Sequence, residues 1–139
     1  MLSEIRVLAD SEVGLLAGDI LVIDDDMNIR EALTDVFGVL TDATVYTAAN
    51  GHEALQILQQ YESIALVLLD MNMPVMNGEE TYERLQQIAP AVRVIVSSSL
   101  SPDEARFRFG ERELPVFLQK PYDVNKLLDV MQSLTAMDL

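Results

Sequence analysis

The sequence predicts an α/β fold: a doubly wound, five-stranded parallel sheet with helices on both faces. Three observations carry that prediction. Five short aliphatic or β-branched runs alternate strictly with five segments of helical apolar spacing, so each crossover must return right-handed to the same sheet. The runs Ile20 to Ile23 and Leu66 to Leu69 are apolar throughout, as strands buried on both faces are. Four of the five runs end in acids, serines or a lysine, and in open parallel sheets ligands sit outside the carboxyl ends of the strands.

Met1 to Gly18 has scattered apolar residues without a sustained period and reads as a leader, a linker or the tail of a preceding domain. The first strand, Ile20 to Ile23, ends in Asp24-Asp25-Asp26, and Asn28 is expected to cap a helix carrying Ile29, Leu33, Val36, Phe37 and Leu40 at core spacing. Thr44 to Ala48 has the β-branched and aromatic residues of a second strand, and Asn50-Gly51 turns into a helix bearing Ala54, Leu55, Ile57 and Leu58.

The third strand, Leu66 to Leu69, stops abruptly at Asp70 and passes into a loop with Pro74 and Gly78. A third helix presents Tyr82, Leu85 and Ile88 and stops near Pro90. Val92 to Val96 forms the fourth strand and runs into Ser97-Ser98-Ser99. Pro102 suits a first helical turn, with Asp103 and Glu104 favourable at the positive end of the helix dipole; Phe107 and Phe109 lie on that helix or its exit. Pro115 precedes a short fifth strand, Val116 to Leu118, which ends at Lys120-Pro121. The last helix starts near Asp123 and shows Val124, Leu127, Leu128, Met131 and Leu134.

Composition narrows the function. At 139 residues the chain fits one domain. It has no cysteine, which excludes disulfides, thiolate zinc sites and a cysteine nucleophile and suits a cytoplasmic setting. The single histidine, His52, builds no metal cluster and is expected to be an exposed or capping side chain at a helix start. The longest apolar runs fall well short of the ~20 residues that span a bilayer, so no membrane contact is expected from this segment. A net charge of −14 repels phosphodiester backbones and argues against direct nucleic-acid binding.

The strand ends gather Asp24, Asp25, Asp70, Ser97 or Ser98, and Lys120 along one edge. Carboxylates that close repel one another unless a cation intervenes, and the hard oxygen set invites Mg²⁺, with the backbone carbonyl of Asn72 available to complete the shell. Asp70 is then placed to attack phosphorus in line, with Lys120 and a serine hydroxyl offsetting charge on the phosphoryl oxygens. Taken singly, each piece has a plainer explanation: a solvated acidic loop, a surface lysine, turn serines, a strand-ending aspartate. Their joint placement is what points to chemistry.

This pattern resembles the receiver domains of two-component response regulators, from about Asp19 to Leu134, with 1–18 as leader and 19–139 as the receiver domain. The marks are Asp24-Asp25, Asp70 followed by Met-Asn-Met-Pro and Gly78, a hydroxyl residue after the fourth strand, and Lys120-Pro121. The resemblance implies a flavodoxin-like sheet of order 2-1-3-4-5, Asp70 as phosphoacceptor, and Mg²⁺ held by Asp24, Asp25, Asp70 and the Asn72 carbonyl. It assigns phosphoryl binding to Lys120 and the switch hydroxyl to Ser98, with Ser97 chosen by a one-residue slip. The switch aromatic falls on Phe117, which keeps the ring but has no hydroxyl, so it would act by packing.

The expected partner is a histidine kinase or a histidine phosphotransfer protein. The Val-Ile-Val-Ser-Ser and Phe-Leu-Gln-Lys-Pro-Tyr segments are similar to receivers at the carboxyl end of hybrid sensor kinases, which suggests kinase domains upstream in a parent chain. Two other functions are compatible with the fold: an interaction module that is never phosphorylated, and a hydrolase of the haloacid dehalogenase type. The hydrolase wants a second aspartate two residues after the nucleophile, and Asn72 stands there.

Overall fold

The computed structural model describes residues 18–73, 76–110 and 115–137. The expected leader, Gly18 apart, and Pro74 in the loop after the third strand lie outside them. In chain order the elements are β1 (Asp19–Ile23), α1 (Met27–Leu40), β2 (Val45–Ala48), α2 (Gly51–Gln60), β3 (Ile64–Asp70), α3 (Gly78–Ile88), β4 (Arg93–Ser98), α4 (Pro102–Phe109), β5 (Val116–Gln119) and α5 (Val124–Met137). The strands form one parallel sheet in the order β2-β1-β3-β4-β5. This is the doubly wound plan expected from the alternation, in the flavodoxin-like strand order that the resemblance implies.

Strand alternation divides the interior into two layers. Ile20, Val22, Leu66, Leu68, Ile95 and Leu118 face α1 and α5, where they meet Leu33, Phe37, Leu127 and Met131. Leu21, Ile23, Val67, Leu69, Val94 and Val96 face the other way, against Leu58 of α2, Leu85 of α3 and Phe109 of α4. Consecutive residues of β1 and β3 thus bury into opposite layers, which is why those runs carry no polar residue.

Three expectations are corrected. Asp26, not Asn28, caps α1: its side chain accepts from the Asn28 N–H, so Asn28 already lies within the first turn. Ile88, at helical core spacing in α3, is exposed because that helix is ending there. The fourth strand begins at Arg93 and includes Ser97 and Ser98, which it hydrogen-bonds into the sheet rather than leaving in a loop. The Phe-Arg-Phe of α4 splits as the helix geometry requires: Phe109 is fully buried and meets Tyr82 edge-on with ring centroids 5.7 Å apart, whereas Phe107 is 86% exposed.

Gly78 is dictated by a close approach. Its N–H donates to the Met71 carbonyl at 3.0 Å, and a Cβ there would stand 2.5 Å from the Met71 Cα, a backbone atom that cannot yield. The Met71 backbone therefore lies tightly against the start of α3. Met71, Met73 and Met76 are buried.

Candidate functional site

The carboxyl ends of β1, β3 and β5 converge on one acidic pocket. Asp24 follows the last residue of β1, and its side chain is held in place by the Asp26 N–H, which donates to Oδ1 at 3.0 Å. Arg30, one turn into α1, donates from Nη1 to the Asp24 carbonyl at 2.8 Å and so fixes the turn that carries the acids. Asp70 is the last residue of β3 and pairs in register with Ser97 of β4. Each of Asp24, Asp25 and Asp70 offers a carboxylate oxygen such that all three lie within 4.8 Å of one another. Asp24 and Asp70 are 3% and 5% exposed, while Asp25 opens to solvent.

Lys120 enters from the end of β5. Its Nζ lies 3.3 Å from Asp24 Oδ2 and 3.5 Å from Asp70 Oδ1, and its backbone N–H donates to the Ser98 carbonyl at 2.7 Å. The Asn72 N–H donates to Asp70 Oδ1 at 3.2 Å. One ammonium faces three carboxylates, so the cluster is net negative. Burial pushes the Asp70 carboxyl above its ordinary 3.8; Lys120 pulls it back, Asp24 adds to the rise, and the Asn72 N–H opposes it. Tyr122, just past Lys120, is pushed up to about 12 by burial and by the charges of Asp24 and Asp70.

The serines and the aromatic are placed as follows. Ser97 and Ser98 are both buried at the end of β4. Alternation sets Ser97 on the Asp70 face of the sheet and Ser98 on the other, beside Val94 and Val96. Ser98 Oγ accepts from the Leu100 N–H at 3.1 Å, which leaves its hydroxyl proton to donate elsewhere. Phe117 is partly buried and packs against the layer that holds Val96 and Phe109, with Val96 its partner in register. His52 is exposed in the first turn of α2.

Sequence reasoning did not find Arg30, Tyr122 or a pair bridging α4 to α3, Arg108 with Glu79. Arg30 reads in sequence as an outward position on an amphipathic helix, and its contact is with a backbone carbonyl, which has no sequence signature. The pocket presents oxygen donors of the hard type with one cationic side chain opposite, a donor set of the chemical kind that suits a hard divalent cation. Among the described residues no helix is long and apolar enough to cross a membrane.

Comparisons with known proteins agree with this geometry. Residues 20–132 match the family model described as the response regulator receiver domain. Sporulation initiation phosphotransferase F of Bacillus subtilis is 34% identical over 113 residues, covering 81% of this chain and 90% of that protein. The autoinducer 1 sensor kinase/phosphatase LuxN of Vibrio harveyi is 26% identical over 136 residues, covering 93% of this chain but 15% of LuxN. Among solved structures, the CheX–CheY–BeF3–Mg²⁺ complex from Borrelia burgdorferi superposes with a TM-score of 0.71 at 28% identity, covering 84% of this chain and 88% of the matched one.

Proposed function

The chain belongs to the response regulator receiver domain family, and from that premise we propose that it is a phosphorylation-dependent switch that accepts a phosphoryl group from a phosphohistidine onto Asp70. The observation that carries this reading is the buried Asp70 carboxylate at the end of β3, within reach of Asp24, Asp25 and Lys120 Nζ. An Asp70 Oδ attacks phosphorus in line. The Oδ–P bond forms as the P–N bond to the donor imidazole breaks, and the imidazole nitrogen keeps the electron pair.

The donor set fits Mg²⁺: three carboxylates of hard oxygen, two of them nearly buried, carry more negative charge than Lys120 offsets. Asp24, Asp25, Asp70 and the Asn72 carbonyl would hold the ion. When bound, Mg²⁺ neutralises charge on the phosphoryl oxygens. Lys120, already poised between Asp24 and Asp70, meets the same oxygens from the β5 side. Ser98 is the hydroxyl assigned to the phosphoryl group, in preference to Ser97, because it takes the family's hydroxyl position when Arg93 to Val96 is laid on the usual strand pattern; its Oγ accepts from the Leu100 N–H and keeps its own proton to donate.

The aspartyl phosphate adds about −1.5 to −2 charges near neutral pH. That charge draws the Ser98 turn inward and vacates space for Phe117, so that the surface of α4, β5 and α5 is repacked. The donor in this reading is a histidine kinase or a histidine phosphotransfer protein in the cytoplasm. The likeness to a short part of a sensor kinase supports kinase domains upstream in a parent chain.

The test is incubation with acetyl phosphate and Mg²⁺, followed by intact-mass measurement. A labile phosphate adduct is expected in the wild type and absent in Asp70→Ala. No wild-type adduct would leave an interaction module; continuous release of phosphate from many substrates would indicate a hydrolase. Ser98→Ala is expected to slow labelling more than Ser97→Ala, and the reverse order moves the switch hydroxyl to Ser97.

A further inference from the structure

Arg108 reaches from the last turn of α4 to the segment that follows the acceptor aspartate. Its Nη2 lies 2.9 Å from Glu79 Oε1 and donates to Glu79 Oε2 at 3.0 Å, and its Nη1 donates to Asn72 Oδ1 at 3.5 Å. Glu79 stands in the first turn of α3, and Asn72 in the loop between β3 and α3. The Glu79 side chain is only 12% exposed, and its Oε1 is shut off from solvent without a well-directed hydrogen bond of its own. The guanidinium thus holds a carboxylate whose Oε1 faces away from water, although Arg108 itself is 34% exposed at its side chain. A planar guanidinium fork fixed at one end by a carboxylate aims its other edge, and here that edge meets the Asn72 amide oxygen.

Asn72 has two backbone groups at the site. Its N–H donates to Asp70 Oδ1 at 3.2 Å, and its carbonyl is the one assigned above to Mg²⁺. We propose that Arg108 is a positioning residue for the phosphoacceptor site: anchored by Glu79, it grips the Asn72 side chain and so fixes the backbone that serves Asp70 and the cation. This rests on the reading of the pocket as a Mg²⁺-dependent phosphoacceptor. It also ties α4 to the acceptor loop, so a movement of one is felt by the other.

The sign of one measurement separates positioning from bare charge. Removing a positive side chain near a cation site tightens cation binding by Coulomb's law alone, whereas releasing a backbone ligand weakens it. The experiment is calorimetric titration of the metal-free full chain with Mg²⁺ alone, with urea unfolding of each variant measured alongside. Arg108→Ala is expected to weaken Mg²⁺ binding by about tenfold, the lower end of what loss of an outer-shell partner costs a metal site. Asn72→Ala is expected to lose a similar factor although it removes no charge. The double variant should lose no more than either single one, because both cut the same chain of contacts.

Unchanged or tighter Mg²⁺ binding in Arg108→Ala overturns the proposal, as do fully additive losses in the double variant. A lowered urea midpoint with Mg²⁺ affinity intact assigns the pair to stability alone and equally overturns it. Wild-type binding with unaltered variants sinks the clamp while sparing the site; absence of Mg²⁺ binding by the wild type removes the site and the clamp with it.

Discussion

Replacing Lys120 by Met tests whether the lysine works by charge. Its Nζ lies 3.3 and 3.5 Å from carboxylate oxygens of Asp24 and Asp70. At an effective dielectric near 20, each attraction is worth about 4–5 kcal/mol before desolvation is subtracted. The lysine side chain keeps 28% of its exposure, so the net is smaller than the roughly 3–5 kcal/mol lost when a fully buried pair is broken. We expect a loss of about 2–3 kcal/mol at neutral pH. Met retains the stem's packing, so the loss is electrostatic.

The pH dependence has a definite sign. Asp70 already titrates above its ordinary 3.8 in the folded protein, and Lys120 is the strongest influence lowering it, so the variant's Asp70 rises further. A carboxyl raised on folding is most compatible with the fold when protonated: its contribution is fully present below the unfolded value and is lost as pH rises through the folded one. The deficit of Lys120→Met should therefore shrink as pH falls through that folded value, and Mg²⁺ at neutral pH should also reduce it by supplying a counter-charge. Urea unfolding at neutral pH, along a descending pH series and with added Mg²⁺ measures all three. An equal loss in all three conditions would show that the stem, not the ammonium, is what the fold uses.

Other substitutions probe the frame around the site. Phe109→Ala should cost about 3–5 kcal/mol, since a fully buried ring and its edge-on contact with Tyr82 are removed, while Phe107→Ala two residues earlier should stay within about 0.5 kcal/mol. Gly78→Ala should lose about 1–3 kcal/mol, because the Cβ meets the Met71 backbone. By contrast Gly38→Ala, exposed in α1 with nothing within 4 Å of the new methyl group, should gain about 1 kcal/mol. Ultraviolet titration should show a tyrosine ionisation near the 12 expected of Tyr122, and Asp70→Asn should bring that step down.

Much of the fold was legible because it rests on one-dimensional pattern. Aliphatic runs buried on both faces, a proline at the start of α4 and acids that end β1 and β3 are local facts, and the parallel alternation does the rest. Details that depend on which of several adjacent residues wins were not legible. Three consecutive aspartates precede α1; the first two join the acid cluster and the third caps the helix, leaving Asn28 inside the first turn. Ser97 and Ser98 lie on opposite faces of β4 yet are equally buried, so composition cannot rank them. The contact between Arg108 and Asn72 spans 36 positions and exists only because α3 and α4 pack on the same layer.

The mounting of Asp70 has a consequence for how an event there would be detected. β3 has β1 on one side and β4 on the other, and both of its faces lie under apolar side chains. Amides in such a strand exchange with solvent chiefly when the whole domain opens, whereas connections exchange through small local openings. The amides of Leu66 to Leu69 should therefore be among the slowest to take up deuterium and nearly silent to anything bound at Asp70. Loading the site would register instead in the turns after β4 and β5, where the Leu100 N–H meets Ser98 Oγ and the Lys120 N–H meets the Ser98 carbonyl.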